Sequence, residues 1–435
     1  MTKRICLLAL GVVAFTLPLV AGSGALSVGK PDDLGFAPDR MPRIREAVQR
    51  HVDAGQVSGA VTLVARRGKI AHFEAYGVQD LESKQPMPKD GIFRLASMSK
   101  PITAVAVMMM VEEGKVRLTD PVSRFIPEFR GAKVAVAKPG ARGGAPGGPG
   151  GGPGGGRSGG IEGAPTFDVV SANRDITIRD LLTHGSGLMS GGLGNAVAPQ
   201  RGPTDTLATY IPKLGAVPLD FQPGTLWRYS GLAGFDVLSR VVEIASGQSL
   251  DQFLKQRLFD PLGMKDTGFS ARPDNQARLV TLYQRGQDGT LTKAANQTAL
   301  SSTTYFAGSG GMVTTAEDYA QFAQMLVNGG ELNGRRYLGK RTVQLMSTNH
   351  TGDMVNGQFG RPAAGMGFGL GVQVVEEPAM AGLRQSKGSW GWAGAYGTNV
   401  NIEPAEQMVT IIMMQTSTGA LQRDFENAVF QAIID

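Results

Sequence analysis

The stretch from Phe93 to Gly114 reads FRLASMSKPITAVAVMMMVEEG. Apolar residues run in a helical pattern from about Met98 to Val111, Glu112 and Glu113 follow, and Gly114 is a stop signal. Pro101 is tolerated only in a first turn, which puts the helix start at Ser97 to Ser99, residue types suited to an N-cap. Ser97 and Lys100 stand three residues apart at that N-terminus and share a face, so an amine can reach a hydroxyl. A serine hydroxyl is a poor nucleophile until a neighbour takes its proton. The helix start, with free N–H groups and the positive end of the dipole, also favours negative charge on a reacting carbonyl oxygen. The S-x-x-K spacing is weak evidence alone. Ser27-Val28-Gly29-Lys30 has it too, in a segment with no helical pattern, and a plain N-cap explains Ser97 equally well.

Outward from this helix, the chain alternates two kinds of pattern. Arg40 to Ala54 carries Met41, Ile44, Val48 and Val52 at helical spacing, closed by Gly55. GAVTLVAR (59–66) and KIAHFEAYG (69–77) are β-rich runs joined through Arg67 and Gly68, the pattern of an antiparallel hairpin. Further strands are expected at 368–376, 396–403 and 408–415, followed by a helix at 421–434. Helical periods dominate between them, at 207–214, 232–246, 250–258 and 315–327. Strands at both ends around a helical middle predict an α/β (α+β) fold, one antiparallel sheet flanked by helices with an inserted all-helical lobe. The expected division is a sheet lobe over about 31–120 and 295–435 and a helical lobe over about 121–294. Residues 139–165 (PGARGGAPGGPGGGPGGGRSGGIEGAP) cannot bury enough apolar surface to offset ordering and read as a floppy insertion. Within it, Gly156 to Gly160 matches G-x-S-x-G around Ser158. That motif works only on a strained strand-to-helix turn, which nothing there can form.

The quoted stretch, continued through KVRLTDPVSRFIPEF, resembles the nucleophile region of the serine β-lactamase and penicillin-binding-protein-like family, in its class C-like branch. ITIRDLLTHGSGL (176–188), FQPGTLWRYSGLAGFDVLSRVVE (221–243), GSGGMVTTAEDYAQFAQMLVNGGELNG (308–334) and GSWGWAGAYGTNVNIEP (388–404) agree with it in order and spacing. The resemblance covers about residue 39 to the C-terminus apart from the Gly-rich insertion. It implies that Ser97 is the nucleophile, Lys100 its neighbour, and Tyr229, in the family's Tyr-x-Asn motif, a proton-exchanging partner. Gly231 stands where β-lactamases usually carry an Asn that binds substrate, which argues against efficient lactam recognition. The family's Lys-Thr-Gly motif falls on Trp392-Ala393-Gly394. Loss of its charge and hydroxyl removes the anchor for an anionic lactam, and the Trp version resembles the β-lactamase-like carboxylesterases. By the same resemblance the N–H groups of Ala395 and Ser97 form an oxyanion hole and Gly394 permits close approach. Trp392 and Tyr396 are expected to shape an apolar pocket. His184, in LLTHGSGL, is expected to bond structurally. The four histidines show no metal-ligand spacing, and the implied acyl-enzyme chemistry needs no metal or cofactor.

Composition bounds the rest. The chain of 435 residues is 42% hydrophobic and 18% charged, enough to bury a large core. Its net charge of +6 is scattered, without the basic run that a nucleic-acid surface needs. Lys3 and Arg4, the apolar run 5–20 and the small residues 21–25 read as a cleavable signal peptide over 1–25, which predicts export to a periplasmic or extracellular space and no stable membrane span afterwards. Cys6, the one cysteine, falls in that leader, which excludes disulfides and thiolate chemistry from the mature chain. The expectation is an exported serine hydrolase that cleaves small-molecule esters through an acyl-Ser97 intermediate. The rivals are a β-lactamase or D,D-peptidase acting on cell-wall-type amides, and an inactive binding or sensory relative.

Overall fold

The computed structural model describes residues 25–138, 167–298, 300–355, 364–416 and 418–435. The expected leader, apart from residue 25, lies outside the described residues, and so do the Gly-rich stretch 139–165 and Ser158. Ser27 to Lys30 is extended and not helical, with Val28 bridged to Ile70, so its S-x-x-K spacing has no helix face to act on.

Among the described residues, seven strands form one antiparallel sheet. They are β1 (Gly59–Arg66), β2 (Lys69–Gly77), β3 (Met366–Phe368), β4 (Gln373–Val375), β5 (Trp390–Ala393), β6 (Asn399–Glu403) and β7 (Met408–Met413). Their order is β3-β4-β5-β6-β7-β1-β2, so β1 from the N-terminal side pairs with β7, Val61 opposite Met413. The β1–β2 connection is two residues, Arg67 (φ 52°) and Gly68 (φ 75°). Two positive φ values in a row are what a hairpin turn matched to the strand twist requires. β1 is buried along its whole length. Val61, Leu63 and Ala65 face the main core while Ala60 and Val64 face a second, smaller one, so its sequence is apolar without alternation.

Helices α1 (Pro42–Asp53) and α5 (Gly419–Phe430) close the smaller core over one face of the sheet. α4 (Ala316–Val327) covers the other face, with Thr315 accepting from the Asp318 N–H as its N-cap. α2 (Lys100–Glu112) lies inside the main core and packs against α3 (Ala233–Ser246). Every α2 residue from Lys100 to Met110 is buried, which is why the segment is apolar all round and lacks an amphipathic stripe.

The structure redraws several expected boundaries. The strand expected over 368–376 is two strands, β3 and β4, because Gly369 and Gly371 turn the chain. Gly371 has φ 82° and its N–H donates to the Leu182 carbonyl. The pattern at 207–214 is a short helix, Leu207–Tyr210, followed by a 3₁₀ segment, Ile211–Ala216, where Pro212 supplies no N–H donor. The 250–258 helix passes through a π turn at Lys255–Phe259. The strand expected from residue 396 begins at Asn399, because Gly394 to Gly397 form the turn between β5 and β6. No helix among the described residues is long and apolar enough to cross a membrane.

Candidate active site

Ser97 lies in a 3₁₀ turn, Ala96–Ser99, that leads into α2. The expectation that Ser97 or Ser99 caps the helix is corrected here: Ser99 sits at the N-cap without a capping bond, and its hydroxyl instead accepts from the Met312 N–H. The residue before Ser97, Ala96, has φ 46°, a left-handed conformation that costs a non-glycine residue about 1–2 kcal/mol. Surrounding bonds hold it. Leu95 donates its N–H to the Met312 carbonyl, and the Met98 carbonyl accepts from the Tyr319 hydroxyl. Ser97 is half-buried, on the partly open side of the turn.

Two donors meet at the Ser97 hydroxyl. The Lys100 Nζ is 3.1 Å from Oγ, and the Tyr229 hydroxyl, 132 residues away in the chain, donates to it at 2.7 Å. Lys100 is fully buried, and its Nζ also donates to the carbonyls of Gly231 and Ser309, each at 2.7 Å. Two of the amine's positions are therefore taken by carbonyls that can only accept. The third, aimed at Ser97, holds a proton in the ammonium form and a lone pair in the neutral form. The same Nζ stands 5.0 Å from the Tyr229 ring centroid.

Tyr229 is positioned from both sides by His184. The Arg228 N–H donates to the His184 carbonyl, and the Ser230 N–H donates to its Nδ1 at 3.3 Å. His184 itself has φ 58°, and its ring lies tilted against the Tyr229 ring, 4.5 Å between centroids. Burial first, and then the Lys100 charge, hold the His184 ring far below the ordinary histidine range, so it stays neutral, with its proton on Nε2. The structural role expected for His184 is thus visible as the cradle of the tyrosine. Upstream, Gln222 to Thr225 form a turn with Gly224 at φ 80°, which brings the chain back toward Ser97.

Trp392 on β5 is buried, 5.5 Å from Tyr229 and 5.3 Å from Phe368 between ring centroids. Trp227, Phe368 and Val355 complete an apolar cluster with it. Gly394 follows β5 and abuts Leu95, in the segment that leads to Ser97. A Cβ there would lie 2.0 Å from the Leu95 carbonyl oxygen and 2.3 Å from the Thr398 hydroxyl. Thr398 donates to the same Leu95 carbonyl, pinning the β5–β6 turn to the segment that carries Ser97. Ala395 is half-buried in that turn. Tyr396, beside it, makes no ring contact with the aromatic cluster; burial raises its hydroxyl pKa, and the charge it faces is Arg94. Sequence reading missed Trp227, Phe368 and the carbonyls of Gly231 and Ser309. Trp227 had a signal, two residues before Tyr229, whereas backbone acceptors leave none. Among the described residues, no three His, Cys, Asp or Glu side chains are grouped to hold a metal ion.

Comparison with known proteins follows the same lines. Protein Rv1367c of Mycobacterium tuberculosis is 34% identical over 384 residues, spanning 85% of this chain and 88% of its own length. Esterase EstB of Burkholderia gladioli is 30% identical over 405 residues, spanning 86% and 90%. The solved structure of EstCE1, a hydrolase with promiscuous acyltransferase activity, matches with a TM-score of 0.70 at 27% identity, covering 90% of this chain and 99% of that one. The Beta-lactamase family model matches residues 44–432, and on that match the chain belongs to the beta-lactamase family of serine hydrolases.

Proposed function

We propose that the protein is an esterase that cleaves small neutral carboxylic esters through an acyl-Ser97 intermediate, and that it works outside the cytoplasm after loss of its leader. The observation that carries this reading is the convergence of Lys100 and Tyr229 on the Ser97 hydroxyl beneath an aromatic wall that includes Trp392. Ser97 Oγ attacks the ester carbonyl while its proton passes to the Lys100–Tyr229 pair, acting as general base. The N–H groups of Ser97 and Ala395 take the negative oxygen of the tetrahedral intermediate. As the intermediate collapses, the C–O bond to the alcohol breaks and the pair returns the proton to the leaving oxygen. Water, deprotonated by the same pair, then attacks the acyl ester and frees the acid and Ser97. Trp392 replaces the cationic anchor that an anionic lactam uses, and with Tyr396 at the adjacent turn it suits an uncharged acyl or alcohol group. The names of EstB, an esterase, and EstCE1, a hydrolase, point the same way.

The test is a panel of p-nitrophenyl esters and a chromogenic cephalosporin, run on the mature protein beside Ser97→Ala. The expected result is ester turnover that falls by at least about 10³-fold in S97A, with slow or no lactam turnover. A lactam turned over far better than any ester overturns the reading. Recovery of an uncleaved, cytoplasmic chain from its host overturns the proposed location.

A further inference from the structure

Lys100 is fully buried, and none of its three hydrogen bonds goes to a carboxylate. An ammonium group removed from water needs compensating charge nearby as well as acceptors. One carboxylate whose field it shares is Asp236, on the first turn of α3 and itself buried. Asp236 Oδ1 accepts the Ser309 N–H at 3.1 Å, and Oδ2 accepts the Tyr305 hydroxyl at 2.9 Å. Ser309 thus bonds through its N–H to Asp236 and through its carbonyl to Lys100. Its neighbour Gly308 is wedged between α2 and α3. A Cβ there would meet the Ser239 hydroxyl at 2.2 Å and the Thr103 hydroxyl at 2.5 Å, and Thr103 donates to the Gly308 carbonyl. The carbonyl that holds Lys100 is therefore fixed from three directions.

We propose that Asp236 is a positioning residue for Lys100. Through Ser309 it fixes the acceptor that aims the amine at Ser97, and when ionised its carboxylate is a buried countercharge on the far side of that acceptor. The inference rests on the proposed Ser97–Lys100 chemistry. Burial raises the Asp236 carboxyl above the ordinary carboxylate range, and the Ser309 and Tyr305 bonds and, least of all, the Lys100 charge only partly offset it. The groups facing Lys100 are Ser97 and Tyr229 at the hydroxyl side, neutral His184 below the Tyr229 ring, Phe235 of α3 at 5.6 Å, and Asp236 beyond Ser309. Those facing Asp236 from the other side are Tyr305 and Tyr210, with the Arg201 guanidinium stacked 4.4 Å from the Tyr305 ring centroid.

Asp236→Asn tests this, because the amide keeps an acceptor for the Ser309 N–H and removes the charge, while its NH2 turns the Tyr305 hydroxyl from donor to acceptor. Without a negative neighbour the amine deprotonates more readily, so the acidic limb of kcat/KM for p-nitrophenyl butyrate moves to lower pH, by on the order of one unit. A purely structural role would lower kcat at every pH alike and leave the limb in place. Tyr305→Phe serves as the second variant, and as the deciding one if D236N does not fold. It strips one hydrogen bond from the carboxylate, favours its protonated form, and shifts the limb in the same direction by less. A limb unmoved in every folded variant, while S97A is inactive, overturns the role of Asp236 and leaves the esterase reading intact. Ester turnover that survives in S97A overturns the esterase reading itself.

Discussion

Gly394→Ala isolates the contact that ties the sheet to the segment carrying Ser97. The added methyl carbon would start 2.0 Å from the Leu95 carbonyl oxygen, so the β5–β6 turn or the Leu95 segment must retreat by about 1.4 Å to restore an ordinary 3.4 Å contact. The Thr398 hydroxyl, at 2.3 Å, blocks a sideways escape, and it is itself bonded to Leu95. Whichever side moves, the Ala395 N–H and the Ser97 N–H separate. A displacement of about 1 Å at a reacting centre costs about 10²-fold, and loss of one oxyanion donor costs about 10²–10³-fold. The expected fall in kcat for p-nitrophenyl butyrate is therefore at least about 10²-fold, about 2.7 kcal/mol of transition-state stabilisation, with a smaller change in KM. Far-UV circular dichroism and thermal melting of the same sample separate this from unfolding. A folded G394A enzyme with kcat within a few-fold of the parent refutes the argument that this turn carries the donor.

Two further outcomes follow from the same geometry. Tyr229→Phe removes the 2.7 Å donor to Ser97 and leaves the ring packed against His184, so kcat should fall by about 10²–10⁴-fold with the melting temperature little changed; activity near the parent level would remove the phenol from the proton route. Glu403, at the end of β6, is buried with one carboxylate oxygen accepting the Ser386 N–H and the other without a hydrogen-bond partner among the described residues. Burial pushes its pKa up from 4.5 to about 7. The folded state then holds this proton more tightly than the unfolded chain does. Its stabilising contribution is full below about pH 4.5 and is lost as pH rises through about 7. Glu403→Gln should flatten that slope and raise the melting temperature relative to the parent at pH 8, a difference that calorimetry at pH 5 and pH 8 reads directly. An equal effect of the substitution at both pH values would contradict it.

The difference between what the sequence disclosed and what it concealed follows from how each feature is encoded. The hairpin at 59–77 was legible because its apolar runs and its Arg67-Gly68 turn are local, and a two-residue connection leaves few alternatives. That strands from both ends of the chain share one sheet was legible for a different reason: the runs are too apolar to lie on a surface, although the specific pairing of β1 with β7 was not foreseen. Boundaries failed where a backbone group bonds to a distant partner, as when Gly371 donates to Leu182 and splits one apolar run into two strands. At the site, Ser97, Lys100 and Tyr229 were legible through the resemblance of their motifs to the family, since the Ser97–Lys100 spacing alone also fits a plain helix cap. The groups that place them were not. Ser309 and Gly231 act through carbonyls that every residue possesses, and His184 acts by accepting a backbone N–H, which many side chains can do. Asp236 is the instructive case. On α3 it occupies a position that the helical pattern assigns to the buried face, where a carboxylate is costly unless something offsets it. A charged residue on an otherwise apolar helix face is itself a sequence-level signal, and here its resolution lies in the bonds to Ser309 and Tyr305 and in the buried lysine across the helix pair.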